Sequence, residues 1–104
     1  MKLTLLEPIL LRVDGDGVYD VVETLPDAQG MMFLCPKCFA ANCGPVRTHS
    51  VLVWFDGRGV LASMTPAPRW QVDGKTIDEL SLAPSVHITG GCGWHGWVKN
   101  GTAA

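Results

Sequence analysis

The stretch FLCPKCFAANCGP (33–45) places two cysteines three positions apart, directly after an apolar run. A second stretch, GCGWHGWVKNG (91–101), repeats this spacing with a cysteine and a histidine among glycines. Such turns let two side chains reach one metal ion, and zinc favours a tetrahedral shell of thiolates and imidazoles. The two stretches therefore predict one zinc ion that clasps the fold. The predicted ligands are Cys35, Cys38, Cys92 and His95.

The predicted ligand shell bears on catalysis. Three thiolates and one imidazole leave no open coordination position, whereas catalytic zinc keeps one for water. The sequence also contains no His-Glu-x-x-His helix, no His-x-Glu deaminase pair and no Gly-x-Ser-x-Gly elbow. We therefore interpret the zinc as structural and favour a protein that is not an enzyme.

Two neighbouring residues leave the ligand set open. Cys43 and His49 follow the first cysteine pair, and either could replace a predicted ligand. We interpret Cys43 as a small buried thiol and His49 as a hydrogen-bonded histidine on a strand. A redox dithiol is the alternative to a metal site, but such a motif follows a strand and opens a helix. The Gly-Pro of FAANCGP (39–45) predicts a poor helix there.

Composition and charge limit the class of protein. The chain has 104 residues, of which 47% are hydrophobic and 17% charged, and we expect one globular domain over residues 1–104. The net charge of −2 comes from scattered residues without a basic run, which makes nucleic-acid binding an unfavoured function. No apolar run is long enough to cross a bilayer, and no signal segment is recognised. We expect a cytoplasmic protein that does not bind membranes.

The first half of the chain predicts short strands. The segments 3–13 and 17–25 flank the turn DGDG and form a hairpin, although a short helix near Val18 also fits the apolar spacing. TLPDAQG (24–30) predicts one helical turn, and GMMFLC (30–35) predicts a strand that leads into the first cysteine.

The second half begins with the clearest strand, 48–56, whose two faces are both apolar. The segment 57–76 predicts a long exposed loop with an extended piece near Trp70. One helical turn after Thr76 and two further extended segments complete the chain. The predicted fold is mostly β: antiparallel sheets clasped by one zinc, in the manner of a zinc ribbon or a β-tent, with one or two helical turns.

The chain has four tryptophans, two of which flank His95. We favour packing in the core and around the metal turns as their role, because aromatic side chains dominate the burial of small cores. A ligand cage near the zinc, as in β-tent domains, is the alternative, and Trp70 is the tryptophan expected to be most exposed. The candidate ligand-binding residues are Trp54, Trp70, Trp94 and Trp97.

Residues 31–104 resemble a family of small uncharacterised proteins encoded by bacteriophages and prophages, some of which are labelled ammonia monooxygenase. The resemblance is carried by Cys-Pro-x-Cys, LSLAPSV (80–86), Cys-x-x-His and the closing Asn-Gly. It implies the same four zinc ligands, the cytoplasm of a bacterial host cell as the location, and no established activity.

Three function classes follow from these observations. We favour a zinc-stabilised interaction module that binds a host or phage protein or associates with itself. A small-molecule or peptide binder with a tryptophan-lined pocket is the first alternative. A zinc-dependent enzyme that uses Asp78 or Glu79 as an acid is the second.

Overall fold

The computed structural model describes residues 1–104, and its fold is mostly β, as predicted. The chain forms ten strands, one α-helix and three short 3-10 turns. The strands are β1 (Ile9–Gly15), β2 (Val18–Val22), β3 (Gly30–Leu34), β4 (Ser50–Phe55), β5 (Arg69–Asp73), β6 (Ser81–Ala83), β7 (Val86–His87), β8 (His95–Gly96), β9 (Val98–Lys99) and β10 (Thr102–Ala103). The helix α1 is Pro36–Asn42, and the 3-10 turns are Leu3–Leu5, Leu25–Asp27 and Ile77–Glu79.

Six strands form one sheet in the order β2-β1-β3-β4-β5-β6. The hairpin β1–β2 is the one predicted around DGDG, and the strand pattern prevails over the helical alternative near Val18. All neighbours are antiparallel except β4 and β5, which pair in parallel. A parallel pair needs a long crossover connection, and residues 56–68 supply it.

The crossover loop is held by one side chain. The guanidinium of Arg69 donates hydrogen bonds to five backbone carbonyl groups of the loop. The accepting residues are Leu61, Met64, Pro66, Ala67 and Pro68. These bonds satisfy carbonyl groups that no strand pairs, and they fix one wall of the groove described below.

Strand β4 buries both of its faces, as its apolar pattern predicts. Val53 and Phe55 belong to the larger hydrophobic cluster, whereas Trp54 belongs to a smaller cluster with Leu11 and Met64. Successive side chains of a strand point to opposite faces, so a strand covered on both sides reads as a continuous apolar run. The sheet therefore packs against chain segments on each side.

The helix α1 corrects the prediction that FAANCGP is a poor helix former. The helix begins directly after β3, with Cys35 as its N-cap residue and Pro36 in its first turn. Proline is tolerated in that turn because its missing N–H would have no partner there. Cys43 ends the helix in the left-handed conformation at φ 54°, so Gly44 lies beyond the helix and does not interrupt it.

The C-terminal segment forms two short ribbons, β7–β8 and β9–β10. Buried and exposed residues alternate along 94–99. The buried positions are Trp94, Gly96 and Val98, and the exposed positions are His95, Trp97 and Lys99. A Cβ atom at residue 96 would overlap the Trp94 indole ring and the Ala104 carbonyl oxygen, so glycine permits this close packing. The ribbon thus presents His95 on its outer face.

Candidate functional site

Three cysteines and one histidine meet at the junction of β3, α1, β4 and the loop between β7 and β8. Their potential ligand atoms all lie within 4.8 Å of one another. The four residues are Cys35, Cys38, His49 and Cys92, and we call them the Cys/His cluster. Thiolate and imidazole donors in this number suit a tetrahedral ion. The cluster is thus a plausible site for a single metal ion.

Strand pairing and the start of α1 bring Cys35, Cys38 and His49 together. Leu34 of β3 pairs with Ser50 of β4, and the Cys35 N–H donates to the His49 carbonyl 2.9 Å away, one step further along. Cys38 follows Cys35 by three positions and lies in α1, one turn further on. The sheet and the helix therefore fix these three side chains independently of the C-terminal loop.

Cys92 reaches the cluster from the loop between β7 and β8. Gly91 and Gly93 on either side have φ values of 58° and 67°, which glycine adopts at little cost. The loop is also tied to α1, because the Lys37 ammonium donates to the Cys92 carbonyl oxygen at 2.8 Å. The glycine turn and this hydrogen bond together place Cys92, which is distant in sequence, against the other three residues.

The thiols of the cluster differ in acidity. The imidazole of His49, whose Nε2 is 3.2 Å from Cys92 Sγ, is the main cause that lowers the pKa of Cys92 to about 6, and a backbone hydrogen bond involving Trp94 lowers it further. Burial raises the pKa of Cys38 to about 11, with further contributions from the neighbouring Cys92 and Cys35. Cys92 therefore loses its proton more readily than Cys38, and the thiolate is the form that binds metal.

His95 lies outside the Cys/His cluster, so the structure differs from the sequence-based ligand set at this residue. The Trp94 carbonyl already accepts a hydrogen bond from the Ile88 N–H at 2.8 Å. The β7–β8 ribbon therefore resumes before residue 95, and His95 pairs with His87 on the opposite strand. The cluster instead contains His49, one of the two residues that the sequence left open as a replacement ligand, and the antiparallel pairing of β3 and β4 sets it opposite Cys35.

His95 instead belongs to a serine–histidine pair. Its Nε2 is 2.9 Å from the Oγ of Ser85, which lies just before β7. A serine hydroxyl hydrogen-bonded to an imidazole is the arrangement in which a neighbouring base activates a nucleophile. Nothing in the sequence spacing alone marked Ser85, because it lacks a recognised nucleophile motif around it.

A groove of about 520 Å³ runs beside this pair. Ser85 and His87 line it, and His49 of the Cys/His cluster also contributes to its wall. Its apolar lining comes from Val51, Leu52, Pro66, Pro68, Trp70, Pro84, Val86 and Ile88. No aspartate or glutamate lines the groove, although the chain as a whole is acidic.

Residues 8–104 match the family described as bacterial ubiquitination-like system serine protease (BubE). The chain belongs to the BubE family. No curated protein and no solved structure matches it. The sequence-based resemblance to phage and prophage proteins stays a prediction. No helix in this BubE member has the length and apolar character that crossing a bilayer requires.

The four tryptophans of this BubE member do not surround one hollow. Trp54 is fully buried beside Tyr19, and Trp94 packs edge-on against Phe33. Trp70 was expected to be the most exposed, but it is only 7% exposed, because the β5 pairing and the Arg69-bound loop enclose it. Trp97 is the exposed one, at 47%, with the Lys99 ammonium 4.9 Å from its ring centre.

Three other sequence-based candidates lie apart from the Cys/His cluster. Cys43 was expected to be a buried thiol, but it is exposed, because it ends α1 in a left-handed turn on the surface. Asp78 and Glu79, considered as acids for a metalloenzyme, belong to the 3-10 turn Ile77–Glu79 and are not part of the cluster.

Proposed function

We propose that this chain is a serine peptidase in which Ser85 is the nucleophile and His95 the general base. The observation that carries the proposal is the 2.9 Å hydrogen bond between Ser85 Oγ and His95 Nε2 at the edge of an apolar groove. The BubE description as a serine protease supports the same reaction.

The chemistry follows from the pair. With the imidazole proton on Nδ1, Nε2 accepts the Ser85 hydroxyl proton while Oγ bonds to the carbonyl carbon of the scissile amide. The imidazolium of His95 then gives that proton to the leaving amine, and the C–N bond breaks to leave an acyl group on Ser85. A water molecule, deprotonated by His95, releases the acyl group as a carboxylate and restores the serine hydroxyl.

A polypeptide is the substrate class that suits the groove. Its apolar lining would bury the side chains of an extended chain, and its lack of carboxylates avoids repulsion of an acidic one. Since the BubE description names a ubiquitination-like system, we propose that the substrate is a polypeptide handled by such a system. This replaces the interaction module favoured on sequence, while a protein partner remains part of the proposal.

We propose zinc as the metal of the Cys/His cluster. Three thiols and one imidazole are the donors of structural zinc sites, and all four would be used by the ion, which leaves no position for water. Zinc would therefore stabilise the fold and take no part in catalysis, because it would hold the loop of Cys92 against β3, α1 and β4. Cys35, Cys38, His49 and Cys92 would hold it.

The test is hydrolysis of a fluorogenic peptide library by the wild type, by Ser85→Ala and by Ser63→Ala, a serine outside the groove. The proposal predicts turnover by the wild type and the Ser63 variant and none by the Ser85 variant, with circular dichroism unchanged in all three. Equal turnover by the wild type and both variants, or no turnover by any of the three proteins, would refute it.

A further inference from the structure

The imidazole rings of His87 and His95 stack on the outer face of the β7–β8 ribbon. The two residues are direct cross-strand partners, and their ring centres lie 4.7 Å apart with an angle of 30° between the planes. The side-chain hydrogen bond of His95 goes to Ser85, and no carboxylate is hydrogen-bonded to its ring. In serine hydrolases a third group usually orients the base by such a bond.

We propose that His87 is a positioning residue that orients His95 by ring stacking, in place of a hydrogen-bonded acid. This inference rests on the proposed function, because it concerns the base of that reaction. It assigns His87 no contact with reacting atoms and no proton transfer.

The need for positioning follows from the exposure of His95. Its side chain is exposed, and both rotatable bonds are free to change unless something holds the ring. A single hydrogen bond to a serine, itself able to rotate, leaves the plane of the ring undetermined. Cross-strand pairs place Cβ atoms about 4.5–5.5 Å apart, close enough for one ring to restrict the other.

The restriction needs only a flat aromatic ring at residue 87, because the face of that ring limits rotation of the stacked His95 imidazole. A phenyl ring at residue 87 would provide the same face and the same restriction.

The test compares His87→Ala, which removes the ring, with His87→Phe, which keeps an aromatic face. Lys99→Ala serves as the control, since it removes an exposed side chain from the neighbouring strand β9. We expect His87→Ala to lower kcat between about tenfold and a hundredfold, because a misplaced base slows the chemical step, in addition to any change in KM from the loss of a groove-lining side chain. We expect the kcat of His87→Phe to be at least the geometric mean of the kcat values of the wild type and His87→Ala. Wild-type kcat in His87→Ala, or a rate in His87→Phe as low as in His87→Ala, would overturn the proposal.

A second readout separates this inference from the peptidase proposal. The ¹⁵N chemical shifts of the His95 ring report whether Nε2 accepts a hydrogen bond. We expect the bonded signature in the wild type and His87→Phe and its loss in His87→Ala. If Ser85 proves not to be the nucleophile, this result still decides the role of His87, and an unchanged His95 signature in His87→Ala would refute it.

Discussion

Cys92 and His95 lie three residues apart in the chain but belong to two different groups. Cys92 Sγ is 3.2 Å from His49 Nε2 in the Cys/His cluster, whereas His95 Nε2 is 2.9 Å from Ser85 Oγ. One short loop therefore connects a plausible metal site to the proposed catalytic pair. The position of the base should depend on whether the loop is held by Cys92.

The first prediction distinguishes the two histidines as metal ligands. His49→Ala should lose most of the bound metal, because it removes one of four donors, whereas His95→Ala should retain about one ion per chain. Elemental analysis of protein purified without added metal measures this. Loss of metal in His95→Ala and its retention in His49→Ala would restore the ligand set predicted from the sequence.

The second prediction concerns the stability that the metal gives. Cys92→Ser should lower Tm by more than about 10 °C, since loss of a structural metal removes several kcal/mol from a domain of this size. Cys43→Ser, at an exposed cysteine outside the cluster, should change Tm by less than about 2 °C. Thermal unfolding followed by circular dichroism makes the comparison, and similar Tm values for both variants would contradict it.

The third prediction links metal removal to catalysis. Treatment with a strong chelator should slow the reaction of Ser85 with a fluorophosphonate at least about tenfold, because the loop that carries His95 is no longer anchored at Cys92. Added zinc should restore the rate. Intact-protein mass spectrometry over time measures the adduct. An unchanged rate in protein shown to have lost its metal would contradict the link between the Cys/His cluster and the Ser85–His95 pair.

The fourth prediction tests the packing behind the ribbon. Gly96→Ala should cost about 1–3 kcal/mol of unfolding free energy, because the new methyl group would overlap the Trp94 ring and the Ala104 carbonyl. Gly90→Ala is the matched control, since a Cβ atom there meets nothing within 4 Å. Urea unfolding of both variants gives the two free energies, and a Gly96 variant as stable as the Gly90 variant would contradict this packing.

Much of the fold could be predicted from local patterns. The DGDG turn indicates the β1–β2 hairpin, and the apolar run of β4 indicates a strand covered on both faces. The helix α1 was missed because Gly44 and Pro45 were taken as helix breakers, although they follow its end. Helix boundaries depend on which residue takes the left-handed cap, and here that residue is a cysteine.

The site was harder to predict because strand register decides it. Cys-x-x-His spacing indicated His95 as a ligand, but a ligand pair of that spacing requires the chain to stay in the loop. Here the ribbon resumes at Trp94, and His49 reaches the cluster through its pairing with Cys35. Ser85 and His95 meet through the same ribbon, and no single-sequence motif encodes that contact.

The most direct test of the account is to locate the adduct after the protein reacts with a fluorophosphonate. Peptide mapping by tandem mass spectrometry identifies the modified residue in the wild type and in His95→Ala. The account predicts one adduct per chain on Ser85 in the wild type, and a rate at least about a hundredfold lower in His95→Ala. An adduct on another residue, an unmodified wild type, or equal rates in both proteins would contradict it.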